Sequence, residues 1–186
     1  MRIISGKHQR RKITPPRDLP VRPTTDMAKE ALFNILANRI DSYTTLNVLD
    51  LYSGTGSISL EFASRGAKLV TSVDTNNKCI RFVKSTSEEL ELPIQTIRMA
   101  AEQFASKLNL SYDIIFADPP YDISDEELME LSEAVYDNLL VEGGIFILEH
   151  SRRALRDVEE LPHQTDLRRY GNTRFRFIEK KNKAGL

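Results

Sequence analysis

The segment NVLDLYSGTGSISLEFASR, residues Asn47 to Arg65, sets the pattern that decides the fold. It predicts a strand, then a tight turn with two glycines, then a helix. The same alternation of short apolar runs and longer amphipathic runs continues to His150. Strands of about six residues that alternate with helices of about ten or more indicate parallel βαβ units. We therefore expect an α/β fold in which an open, mostly parallel sheet carries helices on both faces.

The segments on either side of this pattern predict additions to the sheet. RIISGKHQRRKIT at the N-terminus predicts a small β-hairpin around a Gly-Lys turn, and PPRDLP then interrupts regular structure. A helix is expected from Thr25, with Thr25 or Asp26 as its N-cap. The predicted buried face of that helix consists of Met27, Ala31, Leu32, Ile35 and Leu36.

At the C-terminus, residues 166–179 predict a hairpin that adds antiparallel strands at one edge of the sheet. We expect three parts: a basic N-terminal extension over residues 1–23, the main domain over residues 24–180, and a frayed tail over residues 181–186.

Composition excludes several classes of protein. A single cysteine, Cys79, and three scattered histidines among 186 residues provide neither a disulfide framework nor a Cys/His metal cluster. Cys79 is expected to be a small core residue, and no metal is expected. No apolar run approaches the roughly 20 residues of a membrane span, and the first residues lack the apolar core of a signal peptide. We expect a soluble protein of the reducing cytoplasm.

Charge is unevenly distributed along the chain. Residues 1–22 hold seven basic residues and one acidic residue, a net charge of +6, whereas the remaining 164 residues hold 19 basic and 26 acidic residues, a net charge of −7. This asymmetry indicates a polyanionic partner at one end of an acidic body. A solvated basic surface without a partner is the alternative interpretation.

Ligands of such sheets bind at the carboxyl ends of the strands. The first strand end supplies Asp50, Tyr52, Gly54, Thr55 and Gly56. The glycines let the backbone turn tightly and approach a ligand. A third glycine at the dinucleotide spacing would fall on Ser59, so the nicotinamide fingerprint is incomplete. Asp74, 20 residues beyond Gly54, ends the second strand, where a carboxylate can accept both hydroxyl hydrogen bonds of a ribose. Together these features favour a cofactor that contains a nucleoside.

The fourth strand ends in DPPY, Asp118 to Tyr121. The lone pair of an exocyclic base amine is delocalised into the ring, so the amine must be aimed at an electrophile. Asp118 and the carbonyl of Pro119 can each accept one N–H, while Tyr121 stacks on the base. Pro119 and Pro120 stiffen the backbone that holds this geometry.

The motifs DLYSGTG, Asp74 and DPPY resemble class I methyltransferases that use S-adenosylmethionine, a Rossmann-like fold, and specifically those that act on exocyclic amino groups. MRIISGK, RPTTDMAKEALFNIL and YGNTRFRF, together with those motifs, resemble the bacterial RsmD family over residues 2–179. The resemblance implies methyl transfer to the N2 atom of a guanine in small-subunit (16S) ribosomal RNA, with S-adenosylhomocysteine as the product. It also favours a partly assembled small subunit as the substrate, and we expect a monomer.

The resemblance further implies a role for each site residue. Asp50, Tyr52, Gly54, Thr55 and Gly56 would bind the methionine and sulfonium side of the cofactor. Asp74 would hold the ribose and Thr75 would lie beside the adenine, whose amine would meet either Glu102 or the backbone near Ala101. The target base would be held by Asp118, Pro119, Pro120 and Tyr121. The loop with Arg22 and Thr25 would close over the cofactor, and RNA phosphates would be bound by Lys7, Arg10, Arg11, Lys12 and Arg22.

Two other functions stay open from the residues alone. DPPY also fits an adenine-N6 or cytosine-N4 amino methyltransferase acting on DNA or RNA, although such an enzyme usually needs a separate domain to interpret base edges. A noncatalytic RNA-binding assembly factor that keeps the fold is the second alternative. It would not need Gly54, Gly56, Asp74 and Asp118 together.

Overall fold

A computed structural model describes residues 1–16, 19, 26–151 and 161–181 of the chain. The described part holds five helices: α1 (Asp26–Ala37), α2 (Ser57–Ser64), α3 (Asn77–Glu89), α4 (Ala101–Lys107) and α5 (Asp125–Asn138). It holds seven strands: β1 (Asn47–Leu51), β2 (Leu69–Asp74), β3 (Ile94–Arg98), β4 (Tyr112–Ala117), β5 (Leu140–Ser151), β6 (Gln164–Tyr170) and β7 (Thr173–Glu179). The predicted alternation of strands and helices is therefore confirmed.

All seven strands form one sheet in the order β3-β2-β1-β4-β5-β7-β6. The pairs β1–β2, β2–β3, β1–β4 and β4–β5 are parallel, and β7 is antiparallel to both β5 and β6. The predicted C-terminal hairpin is confirmed, with its turn at Gly171 and Asn172. Because β7 lies between β5 and β6, it alone runs against the other strands.

Each face of the sheet is covered by its own apolar cluster. Side chains alternate along the central strands, so Phe116 and Ile147 pack with α1 and α2, whereas Ala117 and Leu148 pack with α4 and α5. The sheet is thus buried on both sides, as parallel sheets require. No helix of the described residues is long and apolar enough to cross a membrane.

The predicted N-terminal hairpin is reduced to one antiparallel bridge between Arg2 and Lys12. The backbone N–H groups of Ile4 and Ser5 donate to the carboxylate of Glu61 at 2.7 and 3.1 Å instead of extending a ladder. This segment therefore docks onto α2. Gly6, at φ +87°, makes the approach possible, since a Cβ there would lie 1.8 Å from the carbonyl oxygen of Ser64.

The predicted face of α1 is partly wrong. Leu32 and Leu36 are buried, but the Met27 side chain is 80% exposed. Lys29 is buried instead, because its ammonium group donates to the carbonyl of Arg2 at 2.6 Å and lies 3.7 Å from Glu61. These polar contacts rotate the buried stripe of α1 relative to the one that hydrophobicity predicts. Thr25, one of the two predicted N-caps, lies outside the described residues, and Asp26 is the first residue of the helix.

Candidate active site at the carboxyl ends of the strands

The candidate site lies where the order of the strands reverses. β1 is flanked by β2 on one side and β4 on the other, and ligands of open α/β sheets bind at such a switch point. In the register, Leu51 lies opposite both Val73 and Ala117. The residues that follow each of these strands therefore meet at one edge, which brings the glycine loop, Asp74 and Asp118 together as the sequence predicts.

The loop between β1 and α2 is held in left-handed backbone conformations. Tyr52, Gly54 and Gly56 have φ angles of 57°, 52° and 72°. Packing restricts Gly56 as well, because a Cβ there would lie 2.6 Å from Cγ2 of Val83 on α3. The glycine at position 56 thus serves the contact between the loop and α3 in addition to the turn itself.

Asp74 ties the glycine loop to the start of α3. Its carboxylate accepts hydrogen bonds from the backbone N–H of Gly54 at 2.8 Å and from that of Asn76 at 2.7 Å. Asn76 caps α3, since its side chain accepts from the backbone N–H of Lys78. A carboxylate has about four acceptor positions, so Asp74 keeps capacity for ribose hydroxyl groups.

Asp50 is directed beneath the loop. It is almost fully buried and accepts hydrogen bonds from both the backbone N–H and the hydroxyl group of Ser59. Burial raises the pKa of Asp50 to about 7, although the hydrogen bonds from Ser59 act in the opposite direction. Ser59 occupies the place of the missing third glycine, and its hydroxyl oxygen also lies 3.1 Å from the hydroxyl oxygen of Ser72, which can donate to it. The sequence analysis noted Ser59 only as the position of the absent glycine and did not predict that Ser59 and Ser72 support Asp50. The one sequence feature that could have indicated this contact is a hydroxyl residue nine positions after Asp50.

Three further residues predicted to contact the cofactor have partners within the chain. The Tyr52 hydroxyl donates to Glu102 in the first turn of α4, and burial raises the pKa of Tyr52. This bond joins the glycine loop to the segment expected to lie near the adenine. Ala101, the first residue of α4, is buried. Thr55 is buried, and its hydroxyl lies 3.5 Å from the sulfur of Met1.

Thr75 is exposed just beyond β2, and its carbonyl accepts a hydrogen bond from Arg98 at 3.3 Å. Its side chain is therefore accessible at the edge where the adenine is expected.

The DPPY segment directly follows β4. Burial raises the pKa of Asp118 to about 7. Pro119 is buried, Pro120 is exposed, and the Tyr121 side chain is 67% exposed. The carbonyl of Pro120 accepts from the N–H of Ile123 at 3.2 Å, which closes a turn before α5. The segment thus places a shielded carboxyl group beside an accessible aromatic ring.

Two polar residues at the end of β5 have surroundings that the sequence did not indicate. Glu149 is buried, and burial together with the negative charge of Asp118 raises its pKa to about 8. His150 is also buried and accepts a hydrogen bond from Nε of Arg176 at 3.1 Å, while Arg176 also donates to Gln164.

The predicted RNA-binding cations lie on the exposed N-terminal segment. Lys7 and Arg11 form exposed ion pairs with Glu91 and Glu89 at 3.5 and 2.8 Å. Exposed pairs of this kind are worth little, so phosphates can replace these partners at small cost. Arg10 and Lys12 are exposed as well.

Arg22 and Thr25, the remaining predicted contacts, lie outside the described residues. Cys79 is buried, as expected, and burial raises its pKa to about 11. Within residues 1–16, 19, 26–151 and 161–181, no group of three or more His, Cys, Asp or Glu side chains is arranged to hold a metal ion.

A family model described as "Conserved hypothetical protein 95" matches residues 1–179. The Bacillus subtilis (strain 168) protein named "Putative rRNA methyltransferase YlbH" is 35% identical over 158 residues, which is 82% of this chain and 83% of that protein.

The "Ribosomal RNA small subunit methyltransferase D" of Buchnera aphidicola subsp. Baizongia pistaciae is 36% identical over 122 residues, 65% of this chain. The match spans 61% of that relative's length. A solved structure titled "Putative methyltransferase yhhF from Escherichia coli" superposes with a TM-score of 0.81 at 24% identity and covers 97% of this chain and 98% of that one. This last likeness supports the fold.

Proposed function

Because the chain belongs to the RsmD-type methyltransferase family, whose model matches residues 1–179, we propose that it methylates the exocyclic N2 of a guanine in small-subunit (16S) ribosomal RNA. The main support for the proposal is that two carboxylates lie on opposite sides of the glycine loop. Asp74 lies on the β2 side of the loop and Asp118 on the β4 side. One side suits a nucleoside cofactor and the other an amine acceptor.

The residues at the β1–β2 edge fit S-adenosylmethionine, which supplies an electrophilic methyl group on a sulfonium sulfur. Asp74 retains acceptor capacity for ribose hydroxyls, and the hydroxyl oxygen of Ser53 in the loop is buried without a partner among the described residues. We assign the methionine side to Asp50, Tyr52, Gly54, Thr55 and Gly56. Thr75, Ala101 and Glu102 are assigned to the adenine side, and Thr25 to the loop that closes over the cofactor.

Asp118 and its neighbours act on the acceptor. The Asp118 carboxylate and the carbonyl of Pro119 accept the two amine N–H groups, which turns the nitrogen lone pair out of the base plane. Tyr121 stacks on the base, and the two prolines fix the backbone. Direct in-line displacement then needs no covalent intermediate and no metal. The amine becomes acidic as it forms its fourth bond, so Asp118 can take its proton.

The substrate is proposed from charge and size. The exposed cations Lys7, Arg10, Arg11 and Lys12 form a patch for phosphates, with Arg22 as a further contact. A single small domain can recognise the shape and the phosphates of a structured RNA. Such recognition is sufficient when the target base is unpaired or flipped out. We propose a partly assembled small subunit as the substrate, a monomer as the active form and the cytoplasm as the location.

Methyl transfer with defined acceptors tests the proposal. The protein is incubated with labelled S-adenosylmethionine and, separately, with small subunits that lack methylation, with the RNA extracted from them, and with DNA. We expect label in the subunits first and little in DNA. Label in DNA alone would favour the adenine or cytosine amino methyltransferase, whereas binding to the subunits with no transfer would favour the assembly factor.

A further inference from the structure

Glu149 and Asp118 occupy equivalent positions at the ends of two adjacent strands. Ala117 of β4 pairs with Leu148 of β5 in the parallel register, and the two acidic residues follow directly. Two residues earlier, Phe116 and Ile147 belong to the same apolar cluster. Because side chains alternate and neighbouring strands lie about 4.8 Å apart, both carboxyl groups are expected on the same face of the sheet.

The antiparallel partner of Glu149 agrees with this orientation. Glu149 lies opposite Phe175 of β7, and Phe175 belongs to the same cluster as Phe116 and Ile147. Arg176, the next residue of β7, lies opposite Leu148 on the other face, where it binds His150. Asp118 is the charged group of the described residues whose field raises the pKa of Glu149.

The carboxyl group of Glu149 is buried and has an oxygen atom without a hydrogen-bond partner among the described residues. The residue is 8% exposed, and its Oε2 atom is buried without a hydrogen bond from the described residues. A buried polar atom without a partner is costly and is typical of places where a functional group, a water molecule or an ion binds. Two neighbouring carboxylates are also unfavourable when both are ionised, so one member of such a pair keeps its proton to a higher pH. Burial raises the pKa of Asp118 to about 7, and burial with the Asp118 charge raises that of Glu149 to about 8.

We propose that Glu149 is a positioning residue for Asp118: as a neutral carboxylic acid it donates a hydrogen bond to the Asp118 carboxylate and holds that carboxylate ionised and directed at the target amine. This role rests on the proposed function. Asp118 carries the negative charge in the pair because it lies beside the loop assigned to the cofactor, whose positive charge favours its ionised form.

The proton balance of the reaction follows from this assignment. The ionised Asp118 accepts one N–H of the amine while Glu149 holds the proton of the pair. As the N–C bond forms and the C–S bond breaks, the amine proton moves to Asp118. The positive charge of the sulfonium is thereby cancelled by the negative charge of the pair. Both carboxyl groups are then neutral, and one proton leaves to solvent when the product is released.

Two replacements of Glu149 separate this role from others. Glu149→Gln keeps a hydrogen-bond donor without charge, and kcat is expected to fall less than about threefold. Glu149→Leu removes the donor, and kcat is expected to fall about 10- to 100-fold, the usual effect of losing a hydrogen bond to a charged group. Cofactor affinity measured by calorimetry should stay within about threefold in both. The same two replacements at Glu133, an exposed residue of α5, are the controls.

A titration of the protein without cofactor gives a second, independent result. Carboxyl carbon NMR of the wild type should show two titration steps near pH 7 and pH 8, and Glu149→Gln should leave only the step of Asp118. Titration of both groups below about pH 5 would overturn the proposal. In the kinetic experiment, an equal loss of kcat in the Gln and Leu variants, or full activity in both, would also overturn it. If Glu149→Leu fails to fold, the Gln variant and the titration still decide. If the titration holds but no methylated guanine is formed, the proposed function fails and the proton-sharing pair stands.

Discussion

Glu61→Gln is expected to destabilise the protein more than any exposed carboxylate replacement, because Glu61 fixes the N-terminal segment to the core. Its side chain has no exposed surface. The carboxylate accepts from the N–H groups of Ile4 and Ser5 at 2.7 and 3.1 Å and from Nε of Arg65 at 2.8 Å. The ammonium group of Lys29 lies 3.7 Å away and is itself buried.

The magnitude follows from these contacts. An amide keeps one acceptor oxygen and presents an N–H₂ group to donors, so at least one buried donor loses its acceptor and the Lys29 ammonium group loses its counter-charge. Removal of one member of a buried ion pair costs about 3–5 kcal/mol. For a chain of this size that lowers the thermal midpoint by roughly 6–20 °C. Burial already lowers the pKa of Lys29 despite the nearby Glu61, so loss of Glu61 lowers it further, and the cost should shrink at high pH as Lys29 loses its proton.

Urea unfolding provides the assay, with Glu89→Gln as the matched control. Glu89 pairs with Arg11 at 2.8 Å, but both side chains are more than half exposed, so this variant should cost less than about 1 kcal/mol. Limited proteolysis should also release the N-terminal segment sooner in Glu61→Gln. Equal free energies of unfolding for the two variants would show that the buried contacts of Glu61 do not stabilise the protein more than an exposed ion pair does.

Three further outcomes are expected. Asp118→Ala should abolish methyl transfer while calorimetry still detects cofactor binding. An equal loss of transfer and of cofactor binding would show that Asp118 does not act on the acceptor base alone. Gly56→Ala should lower the free energy of unfolding in urea by about 1–3 kcal/mol, because the φ angle of Gly56 is +72° and the new Cβ would lie 2.6 Å from Val83. If the same loss appears in a Val83→Ala background, the clash with Val83 does not contribute. Raising the pH from about 5 to 8.5 should lower the thermal midpoint, because burial raises the folded-state pKa of Asp50 to about 7 and that of Glu149 to about 8. The stability of these neutral acids is fully present below the unfolded pKa near 4 and is lost as the pH rises through the folded pKa, so a midpoint that rises over this range would contradict the assignment.

The sheet could be predicted because its strands are buried on both faces. Runs such as VLDL and DIIFA are nearly continuous in apolar residues, and the glycines after β1 mark the turn into a helix. The order of the strands then brings their carboxyl ends together. The co-location of the glycine loop, Asp74 and Asp118 follows from that topology alone.

Contacts between distant segments could not be predicted in the same way. The burial of Lys29 and the exposure of Met27 depend on Glu61, which lies on another helix. The N-terminal hairpin is limited to one bridge, and the backbone N–H groups of Ile4 and Ser5 donate to the carboxylate of Glu61. Such polar pairing across long sequence separations overrides the hydrophobic pattern of a single segment.

Within the candidate site, residue types were easier to predict than the direction of their side chains. Asp50 was expected to line the cofactor, and its carboxylate binds Ser59 beneath the loop. A direct contact of Asp50 with the cofactor stays a prediction. Glu149 gave no signal of its own, because its proximity to Asp118 arises only from the register between β4 and β5.

The activity proposed for this site is methylation of the N2 atom of guanine in small-subunit RNA. The most direct measurement is nucleoside analysis of RNA from unmethylated small subunits after incubation with the protein and labelled S-adenosylmethionine, with Asp118→Ala in parallel. We expect one labelled product, N2-methylguanosine, with the wild type and none with the variant. Label in N6-methyladenosine or N4-methylcytosine, or label that persists in the variant, would contradict the account.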